Sequence, residues 1–137
     1  MQPLRILIVE DFEAFRRLIR ILLEPHPDFE IVGEESDGLA AIQKAADLKP
    51  HLVLLDISLP SLDGFGVARM IRERDPYCNI IFVSQESSPP AVQAAMSLGA
   101  AGFVFKTKLA SDLLPAIAAA CEGKQFVSKN AIRRSPS

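Results

Sequence analysis

The sequence predicts an α/β protein built on an open, doubly wound parallel sheet of five strands. Three observations predict it. Short, largely apolar runs recur over residues 4–9, 29–32, 52–56, 79–83 and 102–105 and read as strands, and the continuous run Leu52 to Leu55 reads as one buried on both faces. Between them, apolar residues return at helical spacing. Four of the five runs end on polar or charged residues: Glu10-Asp11, Asp56, Ser84 and Lys106.

In chain order, the first strand is interrupted only by Arg5 and leads into Glu10-Asp11. Over 12–23, Phe15, Ile19 and Leu22 mark an apolar helix face, with Arg16, Arg17 and Arg20 opposite and Pro25 as the stop. After the second strand, a helix over 38–47 turns Ile42, Ala45 and Ala46 inward. The third strand ends on Asp56, and the turn from Pro60 to Gly64 starts a helix whose face is Val67, Ala68 and Ile71 and which must end near Asp75-Pro76. The fourth strand ends at Ser84, a position from which a serine can also cap the next helix. That helix, 89–98, opens on two prolines suited to a first turn and closes on Gly99. The last helix starts near Ser111 or Asp112, which puts Pro115 in or just after its first turn. Leu113, Leu114, Ile117 and Cys121 face inward, and Gly123 ends it.

With 137 residues, 49% of them hydrophobic, the chain can bury one sizeable core and is too short for two ordinary domains. No apolar run approaches the roughly 18 residues that span a bilayer, and the start lacks a secretory leader, so a cytoplasmic location without membrane association is expected. Cys78 and Cys121 have no metal-ligand spacing and read as reduced, partly buried thiols. The net charge of −2 gives no general drive towards nucleic acid. It is unevenly spread: residues 123–137 hold Lys124, Lys129, Arg133 and Arg134 with no acid, against −6 for the remainder. The expected organisation is a domain over 1–122 followed by a basic linker or tail over 123–137.

A sheet of this kind commonly has strand order 2-1-3-4-5, and ligands bind outside the carboxyl ends where the order reverses, between strands 1 and 3. Glu10, Asp11 and Asp56 converge there. Three carboxylates in one crevice repel one another, and a divalent cation resolves the conflict. All-oxygen ligands favour a hard ion, Mg²⁺ before Ca²⁺, with Asp56 and the Ser58 backbone carbonyl approaching it directly and Glu10 and Asp11 on the far side, one through water. Phosphoryl transfer needs little more than a positioned nucleophile and cations around the phosphoryl oxygens. Asp56 can be the nucleophile, Lys106 the second cation and the Ser84 hydroxyl a donor.

These residues resemble the receiver domain of bacterial two-component response regulators, whose fold is flavodoxin-like. The matching stretches are Ile8-Val9-Glu10-Asp11, Leu54 to Gly64, Ser84, and Gly99 to Lys106. The resemblance implies Asp56 as phosphoacceptor, Glu10 and Asp11 as the Mg²⁺-binding acids, Ser84 as switch hydroxyl, Phe103 as switch aromatic and Lys106 as the family's lysine. It also implies a sensor histidine kinase or phosphotransfer protein as donor, with output through the fourth helix, fifth strand and fifth helix. Homodimerisation on phosphorylation is a further expectation. Departures are Thr107 where many receivers have Pro, and Phe103 where Tyr is frequent. Ser58 and Glu86 flank the path of a hydrolytic water in the family. No enzyme beyond its own phosphorylation and dephosphorylation is expected.

Two other functions compete. A phosphohydrolase with an Asp nucleophile usually has a second acid two residues on, and that position is Ser58. A phosphorylation-independent interaction module predicts loss of the acids or the lysine, and all are present. The segment 123–128 resembles the linker to a helix-turn-helix output domain, so DNA is expected as a partner only through a domain that these residues do not include.

Overall fold

Strands β1 (Leu4–Val9), β2 (Phe29–Glu35), β3 (Leu52–Leu55), β4 (Asn79–Ser84) and β5 (Gly102–Phe105) alternate with helices α1 (Glu13–Leu23), α2 (Gly38–Leu48), α3 (Gly64–Arg74), α4 (Pro89–Ser97) and α5 (Leu109–Cys121). A computed structural model describes residues 2–129; Arg133 and Arg134 of the basic tail lie outside the described residues. All strand pairs are parallel, in the order β2-β1-β3-β4-β5 followed by a sixth strand, β6 (Phe126–Val127). The α/β class and the order of the first five strands are those predicted.

Side chains alternate across the sheet with the period of two that a strand imposes, and both faces are covered. Leu7, Val9, Val53, Leu55, Ile80 and Phe82 pack with α2, α3 and α4; Ile6, Ile8, Leu52, Leu54, Ile81 and Val83 pack with α1 and α5. This is why the central strands are unbroken apolar runs over 52–55 and 80–83. Asp37, Asp63 and Ser88 cap α2, α3 and α4 by accepting N–H groups of Ala40, Gly66 and Ala91. Gly99 closes α4 at φ +83°.

The sixth strand is new relative to the sequence reading. Phe126–Val127, placed in the tail by composition, pair with Gly102 and Phe103 along the free edge of β5. The buried Ser128 then fastens the end: its N–H donates to the Phe103 carbonyl (2.9 Å), its hydroxyl accepts the Phe105 N–H (3.1 Å), and it donates to Asp112 Oδ2 (2.6 Å).

Several local expectations need correction. Helix α5 begins at Leu109, because a 3₁₀ turn over Lys106–Lys108 runs straight out of β5 and seats Leu109 in the core. Ser111 and Asp112 therefore lie in its first turn instead of capping it, and Pro115 sits inside the helix. Ala46 is exposed, and α2 buries Ala41 together with Ile42 and Ala45; Cys121 is exposed. Arg16 and Arg20, opposite the apolar face of α1 as predicted, are partly buried and paired with an acid. Strand β2 runs on to Glu35, three residues past the predicted end, and carries Glu34 within reach of both, at 3.3 and 2.8 Å. Every peptide bond among the described residues is trans, Lys106–Thr107 included. No helix among the described residues is long and apolar enough to cross a membrane.

Candidate functional site

The register of the central strands assembles the site. Val9 of β1 lies opposite Leu55 of β3, so the residues that follow each strand emerge together, and the Asp56 N–H donates to the Val9 carbonyl at 3.0 Å. Lys106, next after β5, reaches back across β4. Its ammonium stands 3.0 Å from Glu10 Oε2 and 3.2 Å from Asp56 Oδ2, with all three side chains buried. Asp11 is exposed at the rim. Asp11, Phe12, Asp56, Ser58, Ser84 and Lys106 line one open cleft, together with Gln85 and Glu86.

Each functional side chain is held by a local device. The Glu86 N–H donates to Ser84 Oγ at 2.9 Å, which leaves the hydroxyl proton free to donate elsewhere. Capping of α4, the alternative role for Ser84, falls to Ser88. The Ser58 N–H approaches Asp56 Oδ1 at 3.4 Å. Gly64 fixes the backbone of the site, since a Cβ there would fall on the Asp56 carbonyl oxygen, and its N–H donates to the Ile57 carbonyl at 2.7 Å. The loop from Pro60 is thus both the predicted turn and a support for Asp56.

Burial pushes the Glu10 carboxyl up to about 7; the Asp56 charge adds to the rise, while the hydrogen bond and charge of Lys106 and the Phe12 N–H oppose it. Glu10 Oε1 is buried with no hydrogen-bond partner among the described residues. Oxygens of Glu10, Asp11 and Asp56 all lie within 4.8 Å of one another. An orphaned buried carboxylate oxygen beside two further acids, in an all-oxygen set, fits a hard divalent cation.

Of the residues singled out in the sequence, Glu10, Asp11, Asp56, Ser58, Ser84 and Lys106 are brought together. Phe103 is not: it is fully buried beside β4 and β5 neighbours, its ring 6.2 Å from Phe82 and 5.9 Å from Phe105. Three residues of the α1 region belong to the site and escaped the sequence reading. The Phe12 N–H donates to Glu10 Oε2 at 3.1 Å, Arg16 Nη1 donates to the Glu10 carbonyl at 2.8 Å, and the Phe15 ring centre lies 4.5 Å from Lys106 Nζ. The only sequence signal for them was proximity to Glu10-Asp11. A separate, largely apolar cavity between α2 and α3, lined by Ile42, Ile71 and Cys78, holds none of these groups.

The family model of the response regulator receiver domain matches residues 6–118. The chain belongs to that family, the class of domain that serves two-component signal transduction. It is 39% identical over 106 residues to protein-glutamate methylesterase/protein-glutamine glutaminase 3 of Geobacter sulfurreducens, covering 77% of this chain and 28% of that protein. It is 31% identical over 128 residues to the nitrate/nitrite response regulator protein NarL of Escherichia coli, covering 93% and 59%. Among solved structures, the isolated receiver domain of RcsB from Salmonella enterica serovar Typhimurium with phosphomimetic BeF₃⁻ matches at TM-score 0.87 and 28% identity, over 93% of this chain and 95% of that one. The response regulator domain of Thermotoga maritima CheB matches at TM-score 0.81 and 30% identity, over 88% and 98%.

The chain spans less than two thirds of the length of these curated relatives. The expectation that no enzyme is involved does not stand as drawn. The Geobacter relative is named as a methylesterase and glutaminase, and the match covers its receiver part alone, so receivers of this kind occur within enzymes.

Proposed function

We propose that this chain accepts a phosphoryl group on Asp56 from a phosphohistidine of a sensor histidine kinase or phosphotransfer protein, in a Mg²⁺-dependent reaction. The observation that carries the reading is the pairing of Lys106 with Asp56. One carboxylate oxygen is held at 3.2 Å by a buried ammonium, while the other has only the 3.4 Å Ser58 N–H and belongs to an open cleft. An Asp56 oxygen attacks phosphorus, the O–P bond forms, the P–N bond to the histidine breaks, and the imidazole keeps the electron pair and takes up a proton.

Glu10, Asp11, Asp56 and the Ser58 backbone carbonyl would hold Mg²⁺. When bound, it supplies positive charge against the phosphoryl oxygens and relieves repulsion among the acids. Lys106 supplies a second, fixed charge, and Ser84 donates its free proton to a phosphoryl oxygen. The pull on Ser84 biases α4, β5 and α5, with Phe103 responding from inside β5, and so alters the surface offered to a partner or to a second copy of the chain. By analogy with RcsB, dimers of which have been solved bound to DNA, DNA would be reached through an output domain, with residues 123–137 as the connection. The setting is cytoplasmic.

The test is incubation of the chain with Mg²⁺ and acetyl phosphate, followed by intact mass. One phosphoryl adduct is expected on the native chain and none on Asp56→Asn. An adduct that persists in Asp56→Asn would sink the assignment, and no adduct on either would favour a phosphorylation-independent module.

A further inference from the structure

We propose that Phe15 is a positioning residue for Lys106: the face of its ring holds the ammonium in place between Glu10 and Asp56. The proposal rests on the phosphoacceptor reading of Asp56 for its consequence, and on geometry for its substance. Lys106 Nζ has three protons and two hydrogen-bonding partners, Glu10 and Asp56, among the described residues. Its side chain is 5% exposed, so little of it meets solvent. The Phe15 ring also approaches it, with its centre 4.5 Å from the nitrogen, inside the range where the negative face of an aromatic ring attracts a cation.

The chemistry of the third partner matters. A lysine stem is flexible, and its nitrogen goes where its contacts put it. A third carboxylate would neutralise the charge that an incoming phosphoryl group needs, and an aliphatic side chain would leave a buried proton without an acceptor. A ring attracts the cation and leaves its full charge available. The platform is itself fixed by the site: Phe15 packs on Phe12 at 5.6 Å between ring centres, and the Phe12 N–H donates to the same Glu10 oxygen that Lys106 binds. The start of α1 therefore sets Glu10 and the lysine's third wall together. Helical spacing places Phe15 on the apolar face of α1, and it is half-buried there.

Fluorination tests this, because successive fluorines drain the ring face while barely changing its shape. The 137-residue chain carrying 4-fluoro-, 3,5-difluoro- or 3,4,5-trifluorophenylalanine at position 15, with Phe15→Leu and Phe15→Trp beside it, is compared in two readouts. The first is the initial rate of adduct formation with acetyl phosphate and Mg²⁺, with the melting temperature of each form as a fold check. It should fall stepwise, to roughly a tenth in the trifluoro and Leu forms, and be retained in Trp. The second is the proton shift of the Lys106 ε-methylene, which the ring should move upfield in the native chain and which Phe15→Leu should return to an ordinary lysine value. A rate that stays within twofold across the fluorinated series, or an ordinary methylene shift in the native chain, overturns the proposal. If the native chain takes up no phosphoryl group, the Asp56 reading fails, and the methylene shift decides Phe15 separately.

Discussion

The Lys106 ammonium and the Glu10 carboxylate meet at 3.0 Å in the interior although 96 positions separate them in the chain. The same ammonium binds Asp56, so a single cation stands between two buried acids. Removing it leaves two buried acids without their shared counter-charge. Lys106→Met should therefore destabilise the metal-free protein by on the order of 3 kcal/mol in urea unfolding. Millimolar Mg²⁺ should return part of that loss. An unchanged midpoint would mean that the ion pair contributes no net stability.

The pH dependence follows from Glu10. Its carboxyl is raised from 4.5 to about 7 in the folded chain, so the folded state keeps a proton that the unfolded state has lost. The associated stability is fully present below about pH 4.5 and is lost as pH rises through 7. Metal-free protein should unfold more readily at pH 8 than at pH 5.5, by on the order of 2 kcal/mol from this group. Glu10→Gln should flatten that slope in thermal melts across the same range. A slope of the opposite sign in both proteins would contradict the assignment.

Ser128 closes the sheet edge through one hydroxyl shared between the Phe105 N–H and Asp112. Ser128→Ala leaves a buried N–H without its acceptor, at a cost of about 1 to 3 kcal/mol. Hydrogen exchange should quicken at the amide of Phe105 before it does so at β1 or β3.

Gly64 lies against the backbone of the residue it supports, with no room for a methyl group beside the Asp56 carbonyl. Gly64→Ala forces the loop or the end of β3 to move and should cost about 1 to 3 kcal/mol. The rate of adduct formation should fall more than stability alone explains, since the displaced atom belongs to Asp56. Comparing the rate at a temperature where both proteins are fully folded separates the two effects.

The two cysteines should behave differently. Burial, with a contribution from Asp75, pushes the Cys78 thiol up to about 12, whereas Cys121 is exposed. A disulfide exchange reagent should titrate one thiol in the native chain and a second only after denaturation. Two fast equivalents would show that the cavity between α2 and α3 admits the reagent to Cys78.

The placement of the acids, Ser84 and Lys106 was legible because a parallel sheet gathers its strand ends at one edge, so an apolar run followed by a polar residue already carries three-dimensional information. Side-chain direction on a helix was less legible. Phe15 and Ile19 share an apolar face, and nothing in the spacing says that one meets a charged group and the other the core. Arg16 and Arg20 stand opposite the apolar face, and helical spacing does not reveal their partner, because Glu34 lies on a strand extension whose alternation is broken by Gly33 and two acids. The start of α5 was misplaced by a capping argument, since Ser111 and Asp112 are good caps in isolation. The 3₁₀ turn after β5 and the burial of Leu109 outweigh them. Strand β6 has two residues, below the length at which any periodicity exists.

That short strand also ties the end of the described chain to the site. Phe126 and Val127 lie parallel to β5, and Ser128 is bonded to the backbone of Phe103 and Phe105 immediately before Lys106. Tension applied to the chain beyond Ser128 would load these bonds in shear before it reached α5. The force would arrive one peptide unit from the lysine that grips Asp56.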